Sequence, residues 1–189
     1  MNRLYLLISS LILMLNFSGC SNQQELTAQG SIGQFALTNH RGESFTDDAL
    51  NETIWIADFI FTSCTTICPE LTTKMRWLQA QLSSSKAQPL FISFSVDPDR
   101  DTPEVLSNYV KEHKVSDTNW HFVTGDIQSV KTLVVENLKQ AMGEDPRDPQ
   151  NILHGSHFIL GKGDMIYGYY TSNKGGLNKL VTATKTLLK

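Results

Sequence analysis

Two cysteines four residues apart, Cys64 and Cys68, stand in the stretch "FTSCTTICPEL", with Pro69 directly after the second. Positions four apart on a helix share one face, so both sulfurs can point the same way. Pro69 suits the first turn of such a helix, where its missing N–H costs nothing. The positive end of the helix dipole favours a thiolate there, and the thiol pKa then falls below the free value of about 8.5. A thiolate is both a nucleophile and a soft metal ligand. The pair therefore reads as a redox-active dithiol, a metal clamp or a Cys64–Cys68 disulfide.

Spacing separates these in part. C-x-x-x-C is one residue longer than the C-x-x-C of common disulfide oxidoreductases. The chain lacks the second C-x-x-C or the H-x-x-x-H run of a closed zinc site. Two thiolates suit a soft, low-coordinate ion such as Cu(I), especially with one imidazole added. A structural disulfide would close a loop too small to restrict the unfolded chain much. Of the five histidines, His40, His113 and His121 sit in polar or mid-element settings and read as satisfied surface residues. His154 and His157 flank "GSHFIL"; three apart on one strand they face opposite sides, so at most one joins the cysteines. The pattern does not choose between them.

The third cysteine, Cys20, has a separate task. Met1-Asn2-Arg3 leads into the apolar run "LYLLISSLILML" and then "NFSGC", the layout of a secretory signal. The run is well short of the roughly 20 residues that cross a bilayer as a helix. "FSGC" resembles the bacterial lipobox, in which the cysteine is lipidated and becomes the new N-terminus. A plain cleavable signal would need its small-residue site closer than Ala28-Gln29-Gly30. The expected division is a lipoprotein signal over 1–19, a lipidated, flexible tether over 20–33 and one domain over 34–189. Export places the dithiol where a disulfide can persist.

The elements around the dithiol alternate. "TIWIADFIF" is a buried strand, and Ile67, Leu71, Met75, Leu78 and Leu82 form the apolar stripe of a helix. "PLFISFSV" is a second strand, after which Asp101 can cap a helix begun by Pro103 and Glu104. "WHFVTG" is a third strand, followed by a helix over Ile127, Val130, Val134 and Leu138. "MGEDPRDPQN" reads as a polar loop, "GSHFIL" and "MIYGYY" as a hairpin, and "LNKLVTATKTLL" as a closing helix. That order predicts an α/β, thioredoxin-like fold with an insertion, a central mixed β-sheet flanked by helices. Asp97, Asp99 and Asp101 alternate as in a calcium loop, but Thr102 and Asn108 stand where an EF-hand needs Gly and Glu. A net charge of -3 without a basic run argues against nucleic acid as a partner.

"DFIFTSCTTICPEL", "SVDPDRDTPEVLSNYV" and "HGSHFILGKGD", in that order, resemble the Sco/SenC family of copper-binding, membrane-tethered proteins. The resemblance implies copper held by Cys64, Cys68 and a downstream histidine. Aligning Phe158, Leu160 and Asp164 puts that ligand at His154 and leaves His157 a non-ligand. "GKGD" stands where the family has Gly-Pro-Asp-Gly, and Gly155 is a local difference of which nothing is asked. The family also carries an Asp at the position of Asp97. The implied function is a metallochaperone that delivers copper, as Cu(I) or Cu(II), to the binuclear centre of cytochrome c oxidase subunit II. The implied setting is the cell envelope, lipid-anchored and facing the periplasm, with a periplasmic copper donor and a thiol reductant as further partners. The alternative is a thiol–disulfide oxidoreductase acting on the target's copper-ligand cysteines, or a redox sensor, using Cys64 and Cys68 alone. A peroxidase fits less well, and a pure interaction domain leaves the dithiol unexplained.

Overall fold

The computed structural model describes residues 26–84, 88–146 and 148–188. Its strands are β1 (Gly30–Ser31), β2 (Ala36–Asn39), β3 (Ser44–Thr46), β4 (Ile54–Ile60), β5 (Leu90–Ser95), β6 (Trp120–Thr124), β7 (Met142–Asp145), β8 (Asp148–His154), β9 (His157–Lys162) and β10 (Met165–Thr171). The helices are α1 (Ile67–Leu82), α2 (Pro103–Glu112), α3 (Ile127–Lys131) and α4 (Lys174–Leu187). A π-helix, Thr132–Asn137, continues α3.

Every residue of β4 is buried, as expected of a strand covered on both faces. It pairs in parallel with β5, and β5 in parallel with β6. On its other side β4 pairs antiparallel with β9, and β9 with β10. The full order is β1-β10-β9-β4-β5-β6-β2-β3. A β4–α1–β5 unit joined to a β9–β10 hairpin and α4 is the thioredoxin-like plan, and the insertion runs from α2 to β8. Trp55, Phe59, Phe91, Phe94, Trp120, Phe122 and Phe158 fill the core.

The sheet has two distinct ends. Ile54 pairs with Lys162 and Ala57 with Ile159, so the end of β4 lies beside the start of β9. The cysteine motif and His154 therefore share one pole. At the other pole Gly30 pairs with Ile166 and Ser31 with Met165. Ile32 is buried, and the Asn137 amide donates to its carbonyl at 2.7 Å. The end of the stretch expected to be free tether is thus fastened to the sheet. Residues 1–25, with the apolar run and Cys20, lie outside the described residues.

Other expectations change as well. The loop read over 142–151 is largely a two-stranded sheet, with Met142 opposite His154 and Glu144 opposite Ile152. β2 and β3 form a hairpin too short to be read from periodicity. The cap of α2 is Thr102, whose side chain accepts from the Val105 N–H, and not Asp101. The buried stripe of α1 is Cys68, Leu71, Met75, Leu78 and Leu82, while Ile67 is exposed. A shift of one residue, about 100° of rotation, thus puts Cys68 on the core side.

One close approach depends on glycine. Trp55 faces Gly161 across the β4–β9 pair, and a Cβ there would meet the indole ring at 2.0 Å. The Trp55 Nε1–H donates to the Gly163 carbonyl at 2.8 Å, so the ring has no room to retreat. Gly161→Ala is expected to cost about 3 kcal/mol by overpacking. Gly143→Ala, where nothing lies within 4 Å, is expected to change little. Paired urea denaturation curves check the contrast.

Candidate functional site

The chain leaves β4 at Ile60 and reaches Cys64 before α1 begins. The Cys64 N–H donates to the Phe61 carbonyl at 3.2 Å, which turns the backbone sharply. Cys68, the second residue of α1, sends its own N–H to the Cys64 sulfur at 3.4 Å. The Thr66 hydroxyl lies 3.7 Å from the same sulfur. Both cysteines are buried free thiols in this structure.

The two thiols are not equivalent. Burial pushes the Cys64 thiol up, but hydrogen bonds from the Cys68 N–H and thiol and from Thr66 outweigh it. Cys64 ends below the ordinary thiol range. Burial drives Cys68 well above that range, and the Cys64 and Asp58 charges push the same way, against a hydrogen bond with the Phe61 backbone. The helix dipole alone would favour a thiolate at both sulfurs. Burial on the core side of α1 makes only the first one acidic.

His154 ends β8 and brings its Nε2 to 3.5 Å from the Cys68 sulfur. Its Nδ1 donates to the Gly155 carbonyl at 3.0 Å, and the Phe61 ring meets the imidazole edge-on at 5.6 Å. Burial lowers the imidazole pKa, with the Gly155 carbonyl pulling partly back. The ring is therefore neutral at pH 7, its Nδ1 carries the proton and its Nε2 lone pair faces sulfur. His157 starts β9, is exposed, and pairs in register with Thr171. The two histidines belong to different strands, so the one-strand argument about their faces does not apply.

The remaining histidines lie elsewhere. His40 is buried rather than surface, accepting from the Phe122 N–H at 3.2 Å and meeting Asp117 at 3.3 Å. His121 lies 3.4 Å from the Asn39 amide, and His113 packs on Tyr109. None joins the cysteines.

Two carboxyls missed by motif reading support the site from below. Asp101 accepts from the Thr62 N–H at 3.1 Å, from the Thr62 hydroxyl and from the Ser95 hydroxyl at 2.6 Å. It ties the segment entering Cys64 to the end of β5. Asp58, in the middle of β4, accepts from the Ser93 hydroxyl at 2.6 Å. Its Oδ2 has no hydrogen-bond partner among the described residues. A single acid inside "IWIADFI" was the visible signal. Asp97 is held by Arg100 and has its N–H on the Ser95 hydroxyl at 3.0 Å.

Among the described residues no group of three or more His, Cys, Asp or Glu side chains is already closed around a metal position. Cys64, Cys68 and His154 are instead linked in a chain through Cys68. The description of the SCO1/SenC family matches residues 23–189.

The chain belongs to the SCO1/SenC family.

The SCO1 protein homolog of Bacillus subtilis (strain 168) is 33% identical over 151 residues, 79% of this chain and 78% of that protein. A SCO1/SenC family lipoprotein from Bacillus anthracis str. Ames superimposes with a TM-score of 0.77 at 28% identity, over 85% of this chain and 96% of its own. BsSco belongs to the Sco family of cytochrome c oxidase assembly proteins, and a disulfide switch has been identified in it. It gives a TM-score of 0.76 at 29% identity, over 88% and 98%. Bradyrhizobium japonicum ScoI with copper bound shares the fold, with a TM-score of 0.69 at 20% identity over 82% and 98%. These SCO1/SenC structures match the mixed sheet and flanking helices described above. Among the described residues no helix is long and apolar enough to cross a membrane.

Proposed function

We propose that this SCO1/SenC chain carries copper as cargo, held by Cys64, Cys68 and His154, and hands it to the binuclear centre of cytochrome c oxidase subunit II. The observation that carries the reading is the His154 Nε2, 3.5 Å from the Cys68 sulfur. Two sulfurs and one imidazole are the donor set that suits Cu(I). Cys64, the more acidic thiol, is the sulfur that first meets an incoming ion. Cys68 keeps its proton until the ion replaces it. His154 sits at the tip of a two-stranded sheet outside the main one, so it can part from the sulfurs without disturbing the core. Support also comes from the copper-bound relative and from the oxidase-assembly role of the Sco family. A copper donor and a thiol reductant in the periplasm complete the cycle, and Cys20 carries the lipid anchor, as in the lipoprotein relative.

A second reading rests on the asymmetry of the thiols. The Cys64 thiolate attacks a target disulfide and forms a mixed disulfide, releasing one target thiolate. Cys68 then loses its proton and attacks the Cys64 sulfur, releasing the second target thiolate and leaving Cys64–Cys68 oxidised. The reductant restores the dithiol.

One comparison separates the two. Reduced wild type and His154→Ala are titrated with Cu(I) against a chromophoric chelator, and their dithiols are oxidised in parallel. Copper affinity is expected to fall about 100-fold, since partners one shell further out already cost 10- to 100-fold. The dithiol is expected to oxidise as before. Equal copper affinity in the two proteins removes His154 from the site. Wild-type affinity no greater than that of ordinary thiol proteins leaves the oxidoreductase reading in its place.

A further inference from the structure

His154 is set by its neighbours, and the neighbour that stands out is Gln140. The π-helix after α3 ends with Leu138 donating to the Leu133 carbonyl at 2.8 Å, and Gln140 donates to the Val134 carbonyl at 2.9 Å. Lys139 between them has a φ of 55°, which turns the chain back toward β7. The Gln140 side chain is buried and its Nε2 donates to the carbonyls of Leu138 at 3.1 Å and Lys139 at 3.3 Å. Its backbone and its amide are thus both held.

This fixed side chain lies across Gly155. A Cβ on Gly155 would meet Gln140 Oε1 at 2.1 Å, Cδ at 2.9 Å and Cβ at 3.2 Å. The glycine expected to carry no demand is therefore the residue that admits Gln140. Gly155 in turn offers its carbonyl to His154 Nδ1 at 3.0 Å. Two residues beyond Gln140, Met142 is the register partner of His154 itself, so both contacts converge on the same strand end.

We infer that Gln140 and Gly155 form a positioning latch for His154. Gln140, laid over Gly155, fixes the backbone whose carbonyl holds the Nδ1 proton, and so aims Nε2 at the dithiol. Neither residue touches the sulfurs. The latch rests on the metal role proposed for His154 and adds what sets its tautomer and direction. Carbonyl or carboxylate partners of this kind raise the basicity of a ligating histidine and fix its ring.

The test uses the full chain, reduced and metal-free, with long-range 15N–1H spectra reading the His154 tautomer. Cu(I) competition titrations and cysteine alkylation rates are measured on the same samples. Wild type is expected to show the Nδ1-protonated tautomer. Gly155→Ala, which drives Gln140 off, is expected to mix the tautomers and weaken Cu(I) about 10-fold, with alkylation unchanged. Gln140→Ala removes atoms only, and is expected to do the same to a smaller extent. In Gln140→Ala/Gly155→Ala the new methyl occupies the vacated space, and affinity is expected to recover from that of Gly155→Ala. Unchanged tautomers in both single variants overturn the latch, as does a Gly155→Ala loss that persists in full in the double variant. If His154→Ala binds Cu(I) like wild type, the metal role fails, and the metal-free tautomer still decides the latch.

Discussion

Asp58→Asn is expected to stabilise the protein at pH 8 by on the order of 3 kcal/mol and to leave it unchanged near pH 4. Burial pushes the Asp58 carboxyl up from 3.8 to about 7, and the Ser93 hydroxyl only partly opposes it. In the unfolded chain the carboxyl titrates near its ordinary value of about 3.9. Between those values the folded protein keeps a proton that the unfolded chain has released. Stability is therefore fully present below about pH 4 and is lost as pH rises through about 7. Three pH units correspond to roughly 4 kcal/mol, of which Asn recovers most because it keeps an acceptor for Ser93. Urea unfolding of both proteins at pH 4 and pH 8 checks this. A gain of the same size at both pH values would show that the carboxyl does not titrate. Removing the charge is also expected to make the Cys68 thiol easier to ionise, since Asp58 pushes it up.

Asp101→Ala is expected to cost about 3 kcal/mol, because it strips acceptors from several donors at once. The Ser95 hydroxyl is buried, and the Thr62 N–H and hydroxyl lose the same carboxylate. In a domain of this size the loss appears as a fall in Tm of roughly 6–12 °C. Thr62 stands two residues before Cys64, so iodoacetamide is expected to label Cys64 faster in the variant. Asp99→Ala, an exposed change two residues away, is expected to stay within about 0.5 kcal/mol. If both variants lose the same stability, the buried tie is not the reason.

The central strands and α1 were legible because long apolar runs and a 3.6-residue stripe leave few alternatives. β7 and β8 were not, since "MGEDPRDPQN" is polar and carries no alternating apolar pattern, although the two strands pair. The dithiol was legible from spacing, but the phase of the helix was not. Ile67 and Cys68 are adjacent and both apolar, and only packing decides which one turns inward. His154 could be set beside the cysteines by resemblance, whereas Gln140 could not. Its role depends on a contact fifteen positions along the chain with a residue that has no side chain. Asp101 was misread as a cap because its motif context is that of a helix start. Its carboxylate instead points back to Thr62, thirty-nine positions earlier.

The pairing of Gly30 and Ser31 with the start of β10 gives the molecule a handle and a working face. The handle is at the turn end of the β9–β10 hairpin, and the sulfurs are at the opposite end of β4. Since β1 runs antiparallel to β10, the chain comes to Gly30 from the direction of Thr171 and His157, the end of the sheet near His154. The length of the sheet separates the point where the chain is fastened from the thiols.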